Sequence, residues 1–321
     1  MSQRDEESGG ALVRFQLAAG MIVFGSATPV SKIVTDAMPP FIGSLLRVAI
    51  GALVLLPFVW PRRDQLRGIP RKDWIRLGFI ALFGMLGFSA LMLMGMALIT
   101  GVAGAIVMAT TPAVTAAAAM LLMGEDATWR KLTAIALAVA GVVLLQVGGI
   151  GGGEGGGGGM GPVMEWLAGF GSATLIGSAM VFGAVCCEAT YTLLGREVSQ
   201  DVDTVSVAFL AAALSIPLFI PLAAFEWSAF TPSEVSLTEW SALVWYGAGT
   251  LALGTWLWYS GVAETQGSVA AAFMGLMPVS ALVLSYVLLG EPFAWMHLLG
   301  FGVVFAGVLL MSWEHARMSD D

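Results

Sequence analysis

The chain has 321 residues, 58% of them hydrophobic and 11% charged, with a mean hydropathy of +0.86. A water-facing globule carries about 25% charged residues, so much of this surface must meet lipid. A net charge of −8 excludes the basic surface on which nucleic-acid binding depends.

A helix crossing roughly 30 Å of hydrocarbon needs about 20 mostly apolar residues. In chain order, the predicted spans are 12–32, 40–60, 75–96, 100–123, 128–148, 173–194, 204–225, 240–261, 266–289 and 294–313. Each should be helical, because lipid offers no partner to a free peptide group. The acidic start, MSQRDEESGG, is unlike a secretory signal. Pro29 and the Pro217/Pro221 pair predict kinks in their spans. The Gly148–Gly161 stretch is low-complexity and divides two sets of five spans. The expected organisation is a first unit over 1–147, a Gly-rich linker over 148–165 and a second unit over 166–321.

Orientation follows from the basic residues. With the N-terminus cytoplasmic, the loops and tails on that side carry twelve Lys or Arg, Arg62, Arg63, Arg130, Lys131 and Arg196 among them, and the opposite loops carry none. That asymmetry predicts an inner (plasma) membrane protein with both termini cytoplasmic.

An internal repeat appears at an offset of 166 residues. Gly101, Met108, Pro112, Gly124-Glu125, Trp129 and Ala140-Gly141-Val142 meet Gly267, Met274, Pro278, Gly290-Glu291, Trp295 and Ala306-Gly307-Val308. Five spans is an odd number, so the second copy enters the membrane in the opposite direction. The predicted fold is all-α integral membrane, ten transmembrane helices as two inverted five-helix repeats, an arrangement that recurs in secondary transporters.

The doubled pattern of Pro followed by Gly-Glu (Pro112 to Gly124-Glu125, Pro278 to Gly290-Glu291) resembles the EamA family of the drug/metabolite transporter superfamily. So do the endings Ala140-Gly141-Val142-Val143-Leu144 and Ala306-Gly307-Val308-Leu309-Leu310, and Arg47 within the second span. The first helix is similar to the family's Trp-Gly…Lys pattern, with Phe24-Gly25 and Lys32, Phe replacing Trp. The resemblance covers nearly the whole chain. It implies ten helices, no cofactor, no enzymatic activity, and export of small metabolites, with aromatic or other neutral amino acids the favoured substrates.

Glu188 falls near the middle of a span, where a carboxylate costs about 2.5–3.5 kcal/mol on insertion scales. It is a candidate for proton coupling or for binding a substrate amine; a structural ion pair is the alternative. Pro112 and Pro278 are candidate helix kinks at the same depth. Phe88, Ser89, Met108, Thr111, Tyr191, Trp256, Tyr259, Phe273, Met274 and Met277 are candidate lining for a largely apolar substrate cavity. Arg47 is expected to pair with a helix carbonyl or an acid, Lys32 to reach the outer interface, and Glu125 and Glu291 to sit at the N-terminal end of the helix that follows each. The adjacent Cys186 and Cys187 form no disulfide framework, and two histidines, His297 and His315, suggest no metal site. No GxxxxGK[ST] loop is present, so the energy is expected from protons or from the substrate's own gradient. The competing readings are a lipid-modifying membrane enzyme and a passive channel.

Overall fold

Apolar stretches must satisfy their own backbone in hydrocarbon, and a helix does so within one segment. The computed structural model describes residues 3–124, 127–147, 173–198, 202–265 and 267–318, and every regular element among them is helical. The first half contains α1 (Gln3–Gly25), α2 (Ala27–Ala37), α3 (Pro40–Val59), α4 (Arg63–Arg67), α5 (Arg71–Phe79), a π-helical stretch (Ile80–Gly87), α6 (Phe88–Met96), α7 (Gly101–Met108), α8 (Thr111–Met123) and α9 (Trp129–Val147). The second contains α10 (Ala173–Val198), α11 (Thr204–Glu226), α12 (Leu237–Val244), a second π-helical stretch (Trp245–Leu253), α13 (Gly254–Ala263), α14 (Gly267–Met274), α15 (Leu276–Leu289) and α16 (Trp295–Met318).

Among the described residues, six stretches are long and apolar enough to cross a membrane, the first Gly10–Ala37 and the last Thr204–Ala229; Leu276–Leu289 and Trp295–Met311 are shorter apolar helices. The exterior is apolar too: Leu53, Leu121, Phe225 and Val287 are 68%, 84%, 85% and 70% exposed. Large apolar side chains so exposed across the surface belong against lipid rather than water.

The repeat read in the sequence is written into the helices. Helices α7 and α14 begin and end 166 residues apart, α5 and α12 begin at that offset, and the two π-helical stretches fall at corresponding positions. Gly124 and Gly290 end α8 and α15 at φ 69° and 64°, the only positive φ values among the described residues. Glycine adopts this left-handed cap without the Cβ clash that other residues meet. Corresponding helices also pack on each other across the halves, α3 on α11 and α9 on α16.

Proline decides where three helical stretches break. It has no N–H for the carbonyl four residues back, and the chain departs from helix at Ser26 ahead of Pro29, at Ala109–Thr110 ahead of Pro112, and at Gly275 ahead of Pro278. Nearby hydroxyls bond to local carbonyls: Ser26 Oγ donates to Val23 O at 2.6 Å, Thr111 Oγ1 to Met108 O at 2.8 Å and Ser280 Oγ to Met277 O at 2.9 Å. Helix α11, by contrast, continues through Pro217 and Pro221 without a break.

Two acids at helix ends act on distant helices. Glu226 Oε2 accepts from the amides of Phe41 and Ile42 at 2.8 and 3.2 Å, capping α3. Glu291 Oε1 and Oε2 accept from Gly101 N at 2.5 Å and Val102 N at 2.9 Å. Glu291 therefore serves the N-terminus of α7 rather than the helix that follows it in sequence. The reason is packing: α15 lies against α7 and delivers its C-terminal end to amides that have no intrahelical partner. Glu125 lies outside the described residues. Replacing Glu291 by Ala is expected to cost about 0.5–2 kcal/mol, the usual loss for a removed N-terminal cap, with Glu291→Gln costing less; thermal unfolding in detergent reads both. Equal stability of Glu291→Ala and the unmodified protein would show that the cap contributes nothing.

Candidate functional site

Between the two halves lies a cavity of about 450 Å³, within the range of about 300–1,000 Å³ typical of small-molecule sites. Its walls are single helix faces, each legible as residues three, four and seven apart. Helix α6 and the π-helical stretch before it present Met85, Phe88 and Met92. Helices α7 and α8 present Met108, Thr111, Pro112 and Thr115. Helix α10 presents Glu188, Tyr191 and Thr192, α13 presents Thr255, Trp258 and Tyr259, and α14–α15 present Met274, Met277, Pro278 and Ala281. Both π-helical stretches contribute, through Gly84 and Met85 and through Thr250 and Leu251; such windings concentrate at functional sites.

Of the residues singled out in the sequence, Glu188, Tyr191, Phe88, Met108, Thr111, Tyr259, Met274, Met277, Pro112 and Pro278 stand around this one cavity. Three others do not. Trp256 is 42% exposed: Thr255, Trp258 and Tyr259 take the inward face of α13, and Trp256 falls off that face. Phe273 packs beside Val13, Leu17 and Ala270, where α14 meets α1. Ser89 is fully buried and accepts a hydrogen bond from Arg47 Nη1 at 2.5 Å.

Two polar side chains of the cavity, Thr111 and Glu188, are linked. Pro112 offers no N–H to the carbonyl of Met108, and Thr111 Oγ1 donates to that carbonyl at 2.8 Å. The same Thr111 hydroxyl lies 3.0 Å from Glu188 Oε2. A hydroxyl has one proton to donate. Protonated Glu188 can donate to Thr111 while Thr111 donates to Met108; ionised Glu188 accepts the Thr111 hydrogen bond, and the Met108 carbonyl then loses that donor. The proline kink is thus wired to the acid on α10.

Arg47, on α3, also faces the cavity. The sequence reading expected a pair with an acid or a helix carbonyl; among the described residues its hydrogen bond goes to Ser89 Oγ instead. Its guanidinium carbon sits 4.3 Å from the centre of the Tyr246 ring and 5.5 Å from that of Phe88, an arrangement in which ring quadrupoles stabilise a cation. Lys131, counted in sequence as a cytoplasmic-side loop residue, is buried and lines the cavity. Lys32 is held by Asp36 one turn further along α2 at 2.9 Å. The sequence reading also passed over Met21, Met85, Met92, Trp258 and Met311, all lining, and noted Phe24, another lining residue, only for the resemblance it carries. For Trp258 a signal existed, since it shares a helix face with Tyr259 and Thr255.

A helical bundle with a lipid-type exterior, wrapped around a mixed-polarity cavity of metabolite size, is the build of a membrane solute carrier. The chain belongs to the EamA-like transporter family, whose model matches residues 13–147 and 175–313. It is 30% identical over 311 residues to the "Uncharacterized transporter YetK" of Bacillus subtilis, covering 95% of this chain and 90% of that one. It is 25% identical over 303 residues to the "Probable terminal-alkyne amino-acid exporter" of Streptantibioticus cattleyicolor, covering 92% of each. A solved structure described as "Crystal structure of protein" shares the fold, with a TM-score of 0.60 and 18% identity over 97% of this chain and 99% of that chain. The protein is a transporter and not an enzyme.

Proposed function

We propose that this protein is a secondary exporter of small metabolites, most of all aromatic or other neutral amino acids, and that it works by alternating access between two inverted five-helix repeats in the inner membrane. The observation that carries this reading is the cavity between the halves, whose wall pairs the corresponding residues Met108 and Pro112 with Met274 and Pro278. Corresponding elements on both sides of one site let the halves exchange shapes, opening the site first to one side and then to the other. The seven methionines and the rings of Phe24, Phe88, Tyr191, Trp258 and Tyr259 in that wall suit an apolar side chain and tolerate variation in it. Similarity to an amino-acid exporter supports the substrate class.

In α7 and α8 the lining runs from Ala105 to Ala119 and on to Lys131, while Glu291 ties up the Gly101 end. With both termini cytoplasmic, this is a cytoplasm-facing conformation closed on the outer side, the state that loads an export substrate. Glu188 is the proposed proton-coupling group, facing Thr111, Tyr191 and the field of Arg47.

The test is flux in liposomes carrying the purified full chain, with a panel of labelled amino acids, with and without a pH gradient. Saturable uptake with counterflow supports an alternating-access carrier; linear, non-saturating flux would establish a passive channel instead. The inverted arrangement is tested by Thr128→Cys and Ala294→Cys, corresponding positions before α9 and α16, in a background lacking Cys186 and Cys187. Impermeant thiol reagents are expected to label them from opposite sides of the membrane, and same-side labelling overturns the arrangement.

A further inference from the structure

Arg47 is a fixed cation with no described carboxylate at ion-pair distance. Its residue is 6% exposed. The ion pairs formed among the described residues are Lys32–Asp36, Arg62–Asp203 and Arg76–Asp73, so no described carboxylate reaches it. Of the five N–H donors of a guanidinium, one goes to Ser89 Oγ, and the buried Nε has no partner. The rings of Tyr246 and Phe88 hold the charge in position but cannot serve the in-plane Nε donor, which stays unspent. A buried charge whose partner is missing is costly, and burying a cation with donors unspent is tolerable where a ligand completes it. The planar fork of Arg matches a carboxylate with two parallel hydrogen bonds.

The geometry points to Arg47 as the anchor for the carboxylate of the transported solute, a role that rests on the transport reading above and specifies its substrate as a carboxylic acid. Ser89 and Tyr246 are positioning residues, since they orient the guanidinium. Glu188, in the same cavity but outside ion-pair distance of Arg47, stands free to meet the ammonium of an amino acid or the proton exchanged for it. An apolar side chain is left to the methionine-rich wall.

The experiment measures thermal stabilisation of the purified full chain in detergent by L-phenylalanine and 3-phenylpropionate, set against L-phenylalaninamide and phenethylamine. The two carboxylates are expected to raise the Tm and the other two to have little effect. Arg47→Gln is expected to weaken carboxylate binding about tenfold or more, the usual scale for losing a charge-assisted hydrogen bond, with Arg47→Lys intermediate. Absence of any carboxylate effect, equal stabilisation by acid and amide, or retention of the effect in Arg47→Gln overturns the assignment. If Arg47→Gln does not fold, the acid-against-amide contrast in the unmodified protein decides alone. Counterflow in liposomes separates the two readings: saturable exchange that accepts amides and amines equally keeps the carrier and removes the anchor. Carboxylate-specific stabilisation without flux keeps the anchor and removes the carrier.

Discussion

Glu188→Gln is expected to give a folded protein whose transport falls about tenfold or more and no longer responds to a pH gradient, the size set by the charge-assisted contacts a carboxylate makes and an amide does not. The amide has the same shape, and its oxygen can still accept from Thr111 Oγ1, which stands 3.0 Å from Glu188 Oε2. What it cannot do is gain and lose a proton. In the proposed mechanism each such event would re-aim the Thr111 hydroxyl between Glu188 and the Met108 carbonyl that Pro112 leaves without a helix partner. Proton binding would thereby be joined to hydrogen bonding at the break between α7 and α8. Thr111→Val should retain flux but shift its pH dependence, because it uncouples the acid from the kink without removing the acid. A Glu188→Gln protein that keeps both rate and pH response would take Glu188 out of the mechanism.

The second large effect is expected at Gly25. A Cβ there would collide with Ser280 Oγ and lie 2.5 Å from the Met277 carbonyl oxygen and 2.9 Å from the Ala281 amide nitrogen. Two of those three atoms are backbone of α15, so a rotamer change cannot make room. Overpacking of this kind costs about 1–3 kcal/mol and sometimes more. Gly25→Val should therefore lower thermal stability in detergent sharply, and should push apart α1 and α15 beside Pro278, where both line the cavity. Adding Ser280→Ala should restore part of the loss, since it removes one of the three obstacles; full restoration would mean that the backbone contacts are unimportant. Gly78→Ala is the control, with nothing within 4 Å of its added Cβ; in a helix interior that change is expected to be neutral or stabilising by up to about 1 kcal/mol.

The site was partly legible beforehand, and unevenly. Residue type and depth near the prolines put Met108, Thr111 and Pro112, and likewise Met274, Met277 and Pro278, among the candidates, and these do face the cavity. Trp256 and Phe273 were attractive by residue type and depth, yet depth along a helix says nothing about its rotation against its neighbours. Glu291 was read through the helix that follows it and Arg47 through an acid or a helix carbonyl, whereas their hydrogen-bond partners Gly101 and Ser89 lie 190 and 42 residues away.

The sequence by itself determined that the chain meets lipid, that its elements are helices, that Pro29, Pro112 and Pro278 interrupt them and that a pattern recurs after 166 residues. These follow from hydropathy, from the peptide group's need for a partner, and from the missing N–H of proline, all properties of a residue and its near neighbours. Only the tertiary structure decided that Glu188 meets Thr111, that Arg47 rests on Tyr246 without an acid, and that Glu291 caps the start of α7. Those contacts depend on how each helix is rotated and seated against helices far off in the chain. Side-chain packing sets that rotation collectively, and no local pattern contains it.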